Sequence, residues 1–579
     1  MAVSAAVTMS AAAQPRSAPP AAGRPLAASA RCDTGLGALV SAAPDLKVIS
    51  AVDQADSTTP DGRRTPQHCE VIGSFDRHMG VDGQTYAIRF HLRLPAAWNG
   101  RFFFQGGGGS NGVLGSALGD LQGGQLKTAL QLGYAVVSQD SGHDNDVNGL
   151  KARGGAAAFG WDQRAREDYA YRSQARTTVV AKQLLGAYYG QGPAFSYWVG
   201  CSKGGQEGIA MAARYPDYFD GVIADAPGFA LPKAAIAEAW DTQAMAEAAR
   251  ALGAFDKAGL PLLNAAFSDA DLGLAADAIA RACDRLDGAA DGIVGDFAAC
   301  TTARVRPQLE AARCRAGKSP DCLAVAQIKA LVRVFDGARD SRGLALYSDW
   351  AWDLGIGGAP GGRLYSGWRA WKIGSAGGQV NDSRNVTLGG SSLASGFTTP
   401  PTAVDADPEA LARYLLGFDF DRDAPRIFST SADYPVSAWD LMNAQSNLDG
   451  FRARGGRLII VQGVSDPVFS IRDTARWWDR LNVHSRGAAA RSVRLFPVPG
   501  MNHCRGGPGT TDFDAFSALV GWVEKGAAPA EILATAPSET PWPGRTRPLC
   551  SYPAVAVYQG RGDMEKASSF SCRRRAPAG

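Results

Sequence analysis

Short apolar runs that alternate with helical stretches constrain this chain most. Tyr86-Ala-Ile-Arg-Phe-His-Leu-Arg-Leu94 alternates apolar and polar residues at period two, which predicts a sheet strand. Arg101-Phe-Phe-Phe104, Tyr134-Ala-Val-Val-Ser138, Phe195-Ser-Tyr-Trp-Val199 and Gly221-Val-Ile-Ala224 read as short buried strands, with helices expected over 172–189 and 206–214. Strands spaced by helices can bury both faces only in an α/β architecture with a mostly parallel sheet.

After about Phe229 that rhythm stops. Ala-rich helical segments, Gly-rich loops, four of the ten cysteines and many tryptophans follow, until Arg457-Leu-Ile-Ile-Val461 resumes the strands. The interval reads as an insertion, and without it about 350 residues remain, the size of one large α/β catalytic domain. The expected organisation is a leader over 1–31, a core over 32–228 and 445–579, and an inserted lid over 229–444. The leader is Ala-, Ser- and Pro-rich with a weak apolar stretch and no basic start, and reads as an atypical export signal and linker.

Composition removes several classes. Fifty-nine Lys and Arg against 56 Asp and Glu leave +3, which gives no electrostatic case for nucleic acid or an anionic membrane. No run of 18 apolar residues suggests a membrane span. Ten cysteines without a CxxC pair disfavour zinc ribbons and thioredoxin-type sites. They suit five disulfides in a secreted or periplasmic protein, which is expected to act as a monomer.

The strand at 195–199 runs into Gly200-Cys-Ser-Lys-Gly204 and then a helix. This is G-x-S-x-G in a strand-turn-helix context, where a tight turn lifts the serine hydroxyl clear of the sheet. A serine at neutral pH needs a base, and the base needs a carboxylate to fix its tautomer. Asp466, in Gly463-Val-Ser-Asp-Pro467 after the 457–461 strand, and His503, in Pro499-Gly-Met-Asn-His-Cys504 after the 493–497 strand, supply them in the order Ser, acid, His. The expected oxyanion donors are the N–H groups of Lys203 and of Gly107, in the loop Gln105-Gly-Gly-Gly-Gly-Ser-Asn-Gly112. The same loop spells Gly107-x-Gly109-x-x-Gly112, a dinucleotide fingerprint in isolation, but the serine constellation already accounts for these glycines. Cys201 and Cys504 flank two of the three residues, so a bridge between them would tie nucleophile to base.

Cys201-Ser202, Asp466 and His503-Cys504 together resemble the pattern of the tannase and feruloyl esterase family. The likeness runs from about Cys32 to Cys572 and includes Trp98-Asn-Gly-Arg-Phe-Phe103, Gly142-His-Asp-Asn145 and Phe496-Pro-Val-Pro-Gly-Met-Asn-His-Cys504. It is strongest to the branch acting on mono(2-hydroxyethyl) terephthalate (MHET). The resemblance implies an α/β-hydrolase fold with a large inserted lid and hydrolysis of small aromatic acid esters. MHET is the first substrate implied, and feruloyl or galloyl esters are the alternative. A rival of another class is a calcium-stabilised binding protein for aromatic acids that has lost the chemistry. The resemblance also implies the pairs Cys32–Cys69, Cys201–Cys504, Cys283–Cys300, Cys314–Cys322 and Cys550–Cys572, which spacing alone does not select.

Two further sites follow from the resemblance. Cys283-Asp-Arg-Leu-Asp-Gly-Ala-Ala-Asp-Gly-Ile-Val294 gathers three carboxylates, which by composition alone reads as an exposed Asp-Gly turn. The family pattern instead implies structural Ca²⁺ held by Asp284, Asp287 and Asp291 with the carbonyls of Ala289 and Ile293. In the lid, Trp371 would face the substrate ring, Arg384 would pair with a free carboxylate, and Leu388, Gly389 and Val468 would contact substrate. Lys203 stands where the branch has an acidic residue, and Leu388 and Gly389 replace an aromatic residue and a serine. Those departures bear on grip rather than on hydrolysis.

Overall fold

The computed structural model describes residues 28–60, 62–357, 367–444 and 447–574. Most of the segment read as a leader lies outside the described residues.

Nine strands form the central sheet: β1 (Lys47–Gln54), β2 (His68–Met79), β3 (Thr85–Pro95), β4 (Arg101–Gln105), β5 (Ala135–Gln139), β6 (Phe195–Cys201), β7 (Gly221–Asp225), β8 (Arg457–Gly463) and β9 (Val493–Val498). Their spatial order is β1-β2-β3-β5-β4-β6-β7-β8-β9. The five pairings from β5 to β9 are parallel, and the three that join β1, β2, β3 and β5 are antiparallel. The sheet is therefore mixed, with a parallel half as the apolar runs predicted and an antiparallel flank that they did not. β1 and β2 lie outside the expected strands: β1 is largely solvent-facing, and β2 is broken by a register shift between Phe75 and His78. The helix α1 (Ser173–Tyr189) matches its expected span, whereas α2 (Lys203–Arg214) begins three residues earlier than expected, directly after Ser202.

Alternate residues of a strand serve opposite faces. Phe102 and Phe104 pack with Trp198, Leu184 and Ile209 on one side, and Phe103 packs with Val136, Tyr197 and Phe516 on the other. Both faces of the parallel half are thus buried, as near-continuous apolar strands require.

β7 and β8 are adjacent and parallel, so the chain leaves the sheet after Asp225 and returns beside its exit. The excursion carries α3 (Leu231–Ala251), α4 (Asp269–Cys283) and α5 (Val325–Phe335), which build their own core around Ile236, Phe267, Leu331, Trp352 and Leu411. All ten cysteines are paired: 32–69, 201–504, 283–300, 314–322 and 550–572. No helix among the described residues is long and apolar enough to cross a membrane.

Candidate active site

After β4 the chain places β5 to one side and β6 to the other, so the loop following β4 sits where the strand order reverses. In open α/β sheets such a crevice at the carboxyl ends of the strands is where ligands bind. Loop 106–112 follows β4 there, Ser202 follows β6, Asp466 follows β8 and His503 follows β9.

Ser202 has φ 61° and ψ −124°, a conformation that L-residues rarely adopt. The turn closes only because its neighbours lack side chains. A Cβ on Gly200 would lie 2.5 Å from the Gly204 carbonyl oxygen, and one on Gly204 would lie 2.5 Å from the Gly107 carbonyl oxygen. The Ser202 N–H donates to the Asp225 carbonyl (2.9 Å), which fastens the turn to β7. The geometry also explains the early helix start: the turn hands directly into α2, leaving the Lys203 N–H at its free amino end.

Asp466 is buried, and each of its oxygens takes two donors. Oδ1 accepts the N–H groups of Val468 (2.8 Å) and Phe469 (3.1 Å), and Oδ2 accepts Gln462 Nε2 (2.8 Å) and His503 Nδ1 (2.9 Å). Donation from Nδ1 puts the lone pair of a neutral imidazole on Nε2. That atom is buried and has no hydrogen-bond partner among the described residues. The rings of Trp371 and Phe469 stand edge-on to the imidazole, each with centroids 5.5 Å away. The Cys201–Cys504 bridge joins the residue before Ser202 to the residue after His503.

Ser202 lines a cleft that encloses about 430 Å³ of space, part of it open to solvent. Its walls include Lys203, Trp371, Leu388, Gly389, Phe397, Val468 and Phe469, and α3 adds Leu231, Ala234, Ala235 and Glu238 from a single face. Trp371, Leu388, Gly389 and Ser392 sit on three successive π-helical turns, Arg369–Ile373, Asn385–Gly390 and Ser392–Gly396, and Tyr169 on a fourth, Asp168–Arg172. Such turns recur at functional sites. Of the expected substrate contacts, Trp371, Leu388, Gly389 and Val468 line the cavity. Arg384 does not line it: its side chain is exposed and its guanidinium lies over the Trp371 ring, 5.3 Å from the centroid.

One expectation changes in the glycine loop. The Gly107 N–H, expected to face the oxyanion, donates to Glu207 Oε2 (3.1 Å). The N–H groups of Gly108 and Gly109 take no partner among the described residues, and Gly109 lines the cavity. The reason lies below the loop. Glu207 is fully buried, and its Oε1 also accepts Lys203 Nζ (3.1 Å), Asn111 Nδ2 (2.9 Å) and Gln174 Nε2 (2.9 Å). Lys203 is buried too, 4.4 Å from the Tyr169 ring, and burial lowers its pKa against the pull of Glu207. Its side chain therefore belongs to the foundation of the site. No helix begins after loop 106–112 until Asn145, contrary to a dinucleotide-binding turn.

Asp225, at the end of β7, was not singled out in the sequence. It is wholly buried, both carboxyl oxygens lack hydrogen-bond partners, and burial followed by the nearby Asp466 raises its pKa well above the ordinary range.

The acidic loop lies in the excursion, closed by Cys283–Cys300. Asp284 Oδ1 accepts the N–H groups of Asp291 (3.1 Å) and Gly292 (3.0 Å), Asp287 Oδ1 accepts that of Ala289 (3.0 Å), and Asp291 Oδ1 accepts that of Ile293 (3.1 Å). Arg547 pairs with Asp291 Oδ2, and the Ile293 carbonyl accepts the Gly295 N–H (3.1 Å). Burial, then Asp291 and Asp284, push the Asp287 carboxyl up to about 7. Gly295 leaves the space that Asp287 Oδ2 occupies, 2.2 Å from where a Cβ would stand.

The family model described as "Tannase and feruloyl esterase" matches residues 69–573. The chain is 43% identical to the mono(2-hydroxyethyl) terephthalate hydrolase of Piscinibacter sakaiensis, over 95% of this chain and 92% of that protein. It is 27% identical to a probable feruloyl esterase B of Aspergillus clavatus, over 85% of each chain. The crystal structure of feruloyl esterase B from Aspergillus oryzae superimposes with a TM-score of 0.68, covering 94% of this chain and 99% of that one at 23% identity, a likeness of fold. With the family model spanning most of its length, this chain belongs to the tannase and feruloyl esterase family and is a carboxylic ester hydrolase.

Proposed function

We propose that the protein is an exported α/β-hydrolase that cleaves small esters of aromatic acids, with MHET as the first substrate to test and feruloyl or galloyl esters as the alternative. The observation that carries this reading is the Asp466–His503 hydrogen bond, tied by the Cys201–Cys504 bridge to a serine on a strained turn that lines a cavity walled by Trp371, Phe397 and Phe469. The 43% identity with a relative named for MHET supports testing that ester first.

In this mechanism His503 Nε2 takes the proton of Ser202 Oγ as the oxygen attacks the ester carbonyl. Asp466, locked by four donors, holds the imidazole tautomer and offsets the imidazolium charge. The N–H of Lys203 and an N–H from Gly108 or Gly109 stabilise the oxyanion. The C–O bond breaks, the alcohol leaves with the His503 proton, and the acyl group stays on Ser202. Water then attacks, gives a proton to His503, and the acid departs as Ser202 Oγ recovers it. The excursion acts as the lid, because α3 and the π-helical turns form the far wall of the cavity. Arg384 closes onto a free substrate carboxylate from its place over Trp371. The enzyme acts as a monomer.

The acidic loop is proposed as a structural Ca²⁺ site. Its carboxylates and the Ala289 and Ile293 carbonyls are the hard oxygen donors that this ion prefers, and a cation would relieve the crowding that raises Asp287. The arginine on Asp291 must then share that carboxylate.

Ser202→Ala tests the central assignment. Turnover of MHET, methyl ferulate and methyl gallate should fall at least about 10³-fold with an unchanged melting curve; retained hydrolysis would refute Ser202 as the nucleophile.

A further inference from the structure

The cavity wall contains a carboxyl side chain that the mechanism leaves unused. Glu238 projects from the α3 face shared by Leu231, Ala234 and Ala235, and only 7% of the residue is exposed. Its carboxyl takes no hydrogen bond among the described residues, and Lys372, the cation that acts on it, pairs with Asp241 Oδ2 instead. Space for it exists because position 389 is glycine. A Cβ there would lie 1.9 Å from Glu238 Oε2, so the loss of a side chain at 389 and the placement of this carboxyl are one feature.

A buried carboxyl without a partner is a standing desolvation penalty. In a cavity that receives substrate, a ligand that brings the missing partner relieves that penalty. We propose that Glu238 is a specificity-determining residue, donating a hydrogen bond to an oxygen substituent, hydroxyl or carboxylate, on the ring of the bound aromatic acid. The inference rests on the esterase reading above. It deepens that reading by assigning the polar end of the ring-binding wall to α3 rather than to Arg384 alone.

The charge environment supports donation. Burial pushes the Glu238 carboxyl up to about 8, Lys372 opposes the shift and Asp241 adds to it. The other ionisable groups around it include the Tyr347 phenol, Arg333, which acts on Asp241, and, across the cavity, Lys203, itself paired with Glu207, and the Tyr169 phenol, which donates to the Gly109 carbonyl. At pH 7 the group is therefore a carboxylic acid that can donate. Above about 8 it becomes an anion that still accepts from a phenol but repels a carboxylate.

The test uses the whole enzyme and three neutral-alcohol esters: methyl benzoate, methyl 4-hydroxybenzoate and monomethyl terephthalate. Glu238→Leu should lower kcat/KM about 10-fold on the esters whose ring bears oxygen and change methyl benzoate less than about 2-fold. Whether the 4-hydroxy or the carboxylate ester loses more identifies the substituent read. Glu238→Gln keeps a donor of the same shape and cannot ionise. It should retain pH 7 activity within about threefold, and should abolish the fall in kcat/KM for monomethyl terephthalate that the wild type shows, relative to methyl benzoate, above pH 8. Equal losses on all three esters in Glu238→Leu, or an alkaline fall that persists in Glu238→Gln, overturns the assignment. Wild-type enzyme that cleaves none of the three contradicts the esterase reading itself, whereas cleavage of methyl benzoate leaves it standing whatever Glu238 does.

Discussion

Replacing Glu207 with Gln perturbs the site without touching a reacting atom. The Lys203 ammonium lies 3.1 Å from Glu207 Oε1, with side chains 1% and 0% exposed. At an effective dielectric of about 20, a pair at that distance attracts by about 5 kcal/mol, most of which offsets the desolvation of two buried charges. The amide nearly preserves shape but leaves Lys203 uncompensated, and breaking a buried pair in this way costs about 3–5 kcal/mol. Tyr169 recovers a little of that through its ring face, so about 3 kcal/mol is the expected loss. The same carboxylate clamps the Gly107 N–H and Asn111 beneath the glycine loop, so kcat should fall about 10- to 100-fold as that loop loses register with Ser202. Denaturant unfolding of wild type, Glu207→Gln, Lys203→Met and the double variant measures the coupling, with ester hydrolysis read in parallel. The double variant removes the stranded charge and should regain at least about half of the lost stability. If Glu207→Gln and the double variant prove equally stable, with a coupling below about 0.5 kcal/mol, the argument from a buried ion pair is wrong.

Other outcomes follow from neighbouring groups. Asp225 has a raised folded-state pKa, so its contribution declines as pH rises above its unfolded value of about 4; Asp225→Asn mimics the protonated form and should melt no lower than wild type at pH 5 and higher at pH 8. A lower melting point at pH 8 would show that the carboxyl is ionised and partnered. Arg384→Ala should raise KM about 10-fold for MHET and leave methyl ferulate within about 2-fold, and equal effects on both would remove the clamp. Added Ca²⁺ should raise the melting temperature by several degrees and chelation should reverse it, with Asp287→Asn losing the response; a melting curve indifferent to both would leave the loop without a metal role.

The residues proposed to carry the chemistry were legible because their requirements are local. A nucleophile turn needs Gly200 and Gly204 around Ser202, and the order of strands brings Asp466 and His503 to the same edge of the sheet. Gly107 was misjudged for a physical reason: which N–H of a glycine loop stays free depends on what packs beneath it, and Glu207 lies 100 residues away in sequence. Lys203 likewise reads in the sequence as a change in the substrate pocket, yet its side chain turns inward to Glu207. Glu238 carried no sequence signal, because an acid on an Ala-rich helix is ordinarily a solvated one.

The sequence by itself determined the parallel half of the sheet and the strand-turn-helix around Ser202, since apolar periodicity and glycine placement act over a few residues. Only the tertiary structure decided which buried carboxyls find partners: Glu207 meets Lys203 and the glycine loop, Asp466 meets four donors, and Asp225 and Glu238 have no hydrogen-bond partner among the described residues, so burial raises their pKa values. Charge in a protein interior depends on partners brought together across the whole chain, and the low dielectric there makes each such meeting decisive.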